Sequence, residues 1–211
     1  MELYISGGKH LWTDAEDRLE EIEDTIGEPD VIFVETRERT HNIKRRIINW
    51  FSAPVLLASL TTWLAFMYIG SFFFQSDDEI TAELQQKYNL EPIPVDKPVH
   101  SILTNQIRDW AIANWTALIL PIMSFYFIPG LIGIIIGAFA LTTVAVPLTI
   151  AYLCGVNDER NLYMVTRIVE SSEEDEYNCG CLVTGGKHSG SIHNIAHHFS
   201  GIEVVSRHQP D

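Results

Sequence analysis

The chain has 211 residues, with 28 acidic and 14 basic side chains and a formal net charge of −14. That length suits one domain with an addition and excludes two large catalytic domains. So acidic a chain repels phosphate backbones, so no nucleic-acid partner is expected, and three cysteines cannot all pair as disulfides, which points to a reducing compartment.

Residues 1–43 hold 12 acidic and 4 basic side chains and read as strand, loop, helix, strand. Leu3, Tyr4, Ile5 and Ser6 form a β-prone run halted by Gly7-Gly8. Thr13 or Asp14 caps a predicted helix that continues to about Ile26, with Leu19, Ile22 and Ile26 at helical spacing. Glu28-Pro29-Asp30 is a turn, and Val31, Ile32, Phe33 and Val34 form an apolar run of the buried parallel-strand kind, ending in Glu35.

Residues 50–76 carry no charge, and 53–74 supply the roughly 20 apolar residues needed to cross a hydrocarbon layer. A second uncharged run, 110–157, is punctuated by Pro121, Pro129-Gly130 and Pro147. Together they predict an integral membrane protein with membrane lipid as a partner. Lys44, Arg45 and Arg46 precede the first run and Asp77, Asp78 and Glu79 follow it, which puts the N-terminus in the cytoplasm. Residues 76–109 then form an external connecting loop, extended by Pro92, Pro94 and Pro98, with an amphipathic interfacial helix over 101–115. Whether the second run crosses once or twice stays open at this point. Gly133 and Gly137 have the small-xxx-small spacing that lets helices touch, which favours a homo-oligomer.

The C-terminal end repeats the order of the N-terminal one. Asn157 or Asp158 caps a helix to about Glu170, an acidic loop covers 171–178, and Cys181, Leu182, Val183 and Thr184 form a strand. A helix over 190–199 and a strand over 202–205 complete the unit. His193 and His197 share a helix face, read here as exposed polar surface rather than a metal pair. Cys179 and Cys181 read as small strand-start residues rather than soft-metal ligands.

Both ends carry Gly-Gly-Lys-His, at Gly7-Gly8-Lys9-His10 and Gly185-Gly186-Lys187-His188, each after a strand and before a helix. The glycines let the loops turn sharply and approach other backbone closely. Strand-to-helix loops of a parallel sheet open on its carboxyl edge, where ligands bind. If the two ends share a sheet, His10, His188 and Glu35 converge there. Two imidazoles and a carboxylate suit a hydrolytic metal site whose open position holds an activated water. A phosphate-binding loop is disfavoured, because the Ser or Thr after Gly-Lys is missing.

These stretches, with Glu159-Arg160-Asn161 and Met164 ahead of the second motif, resemble the TraB/PrgY and Tiki group. That group is marked by two Gly-x-x-His motifs, a glutamate ending the second strand and an arginine-led helix. The match covers roughly residues 1–40 and 157–205. The resemblance implies a metal-dependent peptidase or hydrolase that limits a peptide signal, using manganese, cobalt or zinc. It implies that His10 and His188 are metal ligands or their immediate neighbours, and that Glu35 is a ligand or the general base. Arg160 is then a residue that orients Glu35 or stabilises developing negative charge. A catalytically inactive membrane regulator that sequesters a peptide or metal is the alternative. The group usually has a long helical middle, which this chain lacks, and Arg39 is one position off the arginine that often follows the glutamate. Halves of one sheet must lie on one side of a bilayer, so the resemblance implies two crossings, with 115–129 interfacial or re-entrant.

The expected architecture is thus a small soluble α/β domain around a mostly parallel sheet, with a helical transmembrane region inserted. The expected segments are 1–46 and 157–211 for the two halves, and 47–156 for the membrane region with its loop 76–109.

Overall fold

A computed structural model describes residues 1–8, 15–37, 43–70, 77–97, 107–128, 130–155 and 157–208. In chain order the elements are β1 (Glu2–Gly8), α1 (Ala15–Ile26), β2 (Val31–Arg37), α2 (Ile43–Ser52), α3 (Pro54–Gly70), α4 (Asp77–Tyr88) and β3 (Ile93–Asp96). They continue with α5 (Ile107–Phe127), α6 (Leu131–Gly155), α7 (Asn157–Asp175), β4 (Cys179–Gly185), α8 (Gly186–Ala196) and β5 (Glu203–His208). The chain divides into two compact units. The first holds Met1–Glu38, Met67–Lys97 and Asn157–Asp211, and the second holds Arg39–Phe66 and Pro98–Val156.

In the first unit, five strands form one sheet in the order β3-β2-β4-β1-β5, every pairing parallel. Strand alternation divides the apolar residues between two faces. Leu3, Ile5, Val31, Phe33 and Leu182 meet Met164, Val165 and Ile168 of α7 and Ile192 of α8. Tyr4, Ile32, Val34, Cys181 and Val183 meet Ile22 of α1 and Ile80 and Leu84 of α4. The result is a three-layer helix–sheet–helix sandwich. Neighbours β1 and β4 are followed by helices on opposite faces. Such a change of direction leaves a crevice at the carboxyl ends of the two strands, and both Gly-Gly-Lys-His motifs begin there.

Gly7 pairs with Thr184, and Gly8 with Gly185. A Cβ on Gly7 would meet the His208 carbonyl at 2.8 Å and the Ser189 Cβ at 2.9 Å. The glycine is therefore what lets α8 and β5 close over the end of β1.

The second unit contains α2, most of α3, α5 and α6. Pro54 opens α3, and the free N–H of Leu56 in its first turn donates to Asn114 Oδ1 of α5 at 2.9 Å. Trp115 Nε1 donates to the Phe51 carbonyl, and the two rings lie 5.5 Å apart. Gly130 (φ +84°) turns the chain between α5 and α6.

Several expectations are corrected. Among the described residues no helix is long and apolar enough to cross a membrane. Of the apolar stretch expected over 53–74, the described residues form the 17-residue α3, and 71–74 lie outside them. Pro121 lies inside α5, which opens with Arg108 and Asp109, and Pro147 lies inside α6. The inserted transmembrane region, the integral-membrane location and the two-crossing scheme therefore fall. Residues 76–109 are not an external connecting loop either. They contribute α4, which packs on the sheet, and β3, which pairs with β2 at its edge. The acidic stretch 171–178 is largely helical, because Ser171 and Ser172 extend the buried stripe of α7.

The glycine contact yields a direct test. Gly7→Ala forces the new methyl against backbone and should destabilise the protein by about 1–3 kcal/mol in urea unfolding. An unchanged midpoint would show that α8 and β5 are not held against β1 as described.

Candidate functional site

The site is built from the carboxyl ends of β2, β3 and β4 and the first turns of α7 and α8. Glu35 lies on β2 in alternation with Val31 and Phe33, so it points to the face covered by α7 and α8. On α7, Arg160 and Asn161 begin the buried stripe that Met164, Val165 and Ile168 continue. Packing of that stripe presses both polar side chains toward the sheet edge.

Arg160 is the hub. Its Nε and Nη2 donate to the two oxygens of Asp96, at the end of β3, each at 2.9 Å. Its Nη2 also donates to Glu35 Oε1 at 2.8 Å. One planar guanidinium thus joins two strand ends in fork geometry that an ammonium cannot reproduce. Arg160 is 6% exposed and Asp96 4%, so water screens these pairs little. Lys97 and Glu159 form a further pair at the rim.

The other Glu35 oxygen, Oε2, accepts from Thr184 Oγ1 at 2.7 Å and from the Gly185 backbone N–H at 2.9 Å. Gly185 is the N-cap of α8 and has no side chain to cap it. The Glu35 carboxylate fills that role, where the helix dipole favours negative charge. This explains why α8 begins at Gly186, four residues before the expected 190, with His188 in its first turn rather than in a loop. His188 is 6% exposed; its Nδ1 lies 2.6 Å from Asn161 Oδ1 and its Nε2 lies 3.3 Å from Glu35 Oε1.

Of the residues singled out in the sequence, Glu35, Arg160, Gly185 and His188 come together, and Gly186 follows in the first turn of α8. Gly7 and Gly8 end β1 beside Thr184 and Gly185. His10 and Arg39 lie outside the described residues. Asp96, Asn161 and Thr184 were missed. The signal for Asp96 was present, since Val95-Asp96 repeats the apolar-then-acid ending of Val34-Glu35.

The donor set does not fit the expected metal. A carboxylate offers about four lone-pair positions. Those of Glu35 face Arg160, His188, Thr184 and Gly185. Among the described residues no group of three or more His, Cys, Asp or Glu side chains is arranged to hold a metal ion. The metal-binding expectation is corrected for the described residues; His10, the remaining expected ligand, lies outside them. His193 and His197 stack edge to face with their Nε2 atoms 3.3 Å apart. Burial, with His197 and Arg207 nearby, holds His193 below its usual range. Burial pushes the Cys181 thiol up to about 12, so it stays protonated in the sheet core.

Arg160→Met leaves two buried carboxylates without their shared cation. It should destabilise the protein by about 3–5 kcal/mol in chemical unfolding, and a loss under about 1 kcal/mol would show that these pairs are screened by water. No family model, curated protein or solved structure matches this chain.

Proposed function

We propose that this chain is a TraB/PrgY/Tiki-type hydrolase acting on a peptide, through an acid–base centre made by His188, Glu35 and Arg160. What carries the reading is convergence. Residues 35, 160, 185 and 188 are separated by up to 153 positions, are among those the family resemblance selects together with His10, and lie within hydrogen-bonding range of one another through Glu35. Their location beside the β1–β4 crevice is where open parallel sheets bind ligands.

In this reading the imidazole Nε2 takes a proton from an attacking water. The water oxygen bonds to the peptide carbonyl carbon, the carbon–nitrogen bond breaks, and the same proton passes to the leaving nitrogen. Arg160 lends positive charge near the developing oxyanion. Glu35 stands beside the imidazole, where its charge favours the imidazolium that forms, and completes the charge balance around Arg160. No step is assigned to a metal, because the donor set of Glu35 does not suit one.

One observation favours a second reading, a catalytically silent regulator that binds a peptide. Three donors already hold the Glu35 carboxylate, and the side chains of Glu35 and His188 are only 11% and 8% exposed.

The two separate in one experiment, incubation of the purified full chain with a mixed peptide library followed by mass spectrometry. The hydrolase reading expects cleavage that falls at least about 100-fold in His188→Ala. Peptide retained intact, and released by the same substitution, supports the regulator. Neither cleavage nor retention contradicts both.

A further inference from the structure

Helix α2 differs in make-up from the other helices of the second unit. Over Ile43–Ser52 it places Ile43, Ile47, Trp50 and Phe51 at i, i+4, i+7 and i+8, which is one face of a helix. That face is open to solvent: Ile43 is 70% exposed, Ile47 63% and Phe51 70%. With Pro54 and Trp115 these residues line an open groove of about 500 Å³. Trp115 is held there by its hydrogen bond to the Phe51 carbonyl, so the groove is built into the second unit. Contiguous apolar surface of this kind marks a place where something docks.

The charge beside the groove says what fits it. Lys44, Arg45 and Arg46 occupy consecutive positions of α2, Lys44 is exposed, and the helix holds no acidic residue. They are three of only 14 basic residues in a chain with 28 acidic ones. A cationic segment in so acidic a chain is complementary to a negative surface. Aliphatic and tryptophan side chains beside Lys and Arg on a short helix suit the plane of a bilayer. There the apolar side sinks about 5–10 Å, tryptophan sits at headgroup level and basic residues meet anionic headgroups. The exposed faces of α5 and α6 give no such direction, because 110–157 carries no charge. At 10 residues α2 is about 15 Å long, enough to lie on a bilayer and too short to cross one.

We propose that α2 is a docking element for an anionic lipid surface, seated by Ile43, Ile47, Trp50 and Phe51 and drawn there by the charge of Lys44, Arg45 and Arg46. The inference stands apart from the peptide reading of the first unit and requires no helix to span the bilayer.

The test is flotation of the purified full chain with vesicles of phosphatidylcholine alone, or with about 30% phosphatidylserine added. The wild type should bind the anionic vesicles about 100-fold more tightly, the size expected of three basic residues near such a surface. Raising the salt from about 0.1 M to about 1 M shortens the screening length and should remove most of that preference. Lys44→Gln, Arg45→Gln and Arg46→Gln combined should abolish it, and Ile47→Asp should weaken binding to both vesicles, each variant keeping the wild-type circular dichroism. Equal wild-type binding to both vesicles, or binding to neither, overturns the proposal without recourse to any variant. So does an anionic preference that persists at high salt or in the folded triple variant. A concentration-dependent dimer that Ile47→Asp dissolves would make a second copy the occupant of the groove, and overturns it too.

Discussion

The guanidinium of Arg160, shared between Asp96 and Glu35, is the interaction on which the rest of the site depends. It bridges the ends of β3 and β2 from the first turn of α7, so three elements distant in sequence meet at one cation. Burying two carboxylates and a guanidinium is costly, and only near-complete hydrogen bonding offsets that cost. The remaining Glu35 oxygen finds its donors in Thr184 and Gly185, which adds β4 and the start of α8 to the same knot. Geometry of this kind tolerates no slack, and it sets the position of His188 to within the reach of Glu35.

The sheet supplies the frame. Because β1 and β4 are neighbours whose following helices take opposite faces, their carboxyl ends border a crevice. Gly7 keeps that edge thin where Ser189 and the His208 backbone approach. The fold and the charge cluster therefore point to the same end of the first unit. The second unit has its own internal ties, such as the Asn114 contact to Leu56 and the Trp115 contact to Phe51.

Much of the sheet was legible in the sequence. Apolar runs at Leu3, Val31 and Cys181, bounded by Gly or Pro-containing turns, marked β1, β2 and β4, because buried parallel strands are apolar on both faces. β3 was not legible. It has four residues and includes Pro94, which only an edge strand accommodates, and it lay inside a stretch read as a connector. Without β3, Asp96 had no place, and Arg160 lost its main partner. The apolar runs misled in the other direction: their length suggested crossing helices, whereas among the described residues they hold α3, α5 and α6, none of them long and apolar enough to cross. Glu35, Arg160 and His188 were legible as a set. Thr184 and Asn161 required knowing which side chains of α7 and of the strand ends meet, information that one-dimensional spacing does not hold. The metal assigned to Glu35 came from its expected place beside two histidines and from the family resemblance, and the donors crowding that carboxylate were invisible until strand ends and helix starts were brought together.

The central claim is that Arg160 and Glu35 are directly coupled across a desolvated edge. A double-mutant cycle on Arg160→Met and Glu35→Gln, read by chemical unfolding of the full chain, measures that coupling alone. The account expects an interaction free energy of about 2–3 kcal/mol favouring the pair. A coupling indistinguishable from zero, with each single change additive, would contradict it.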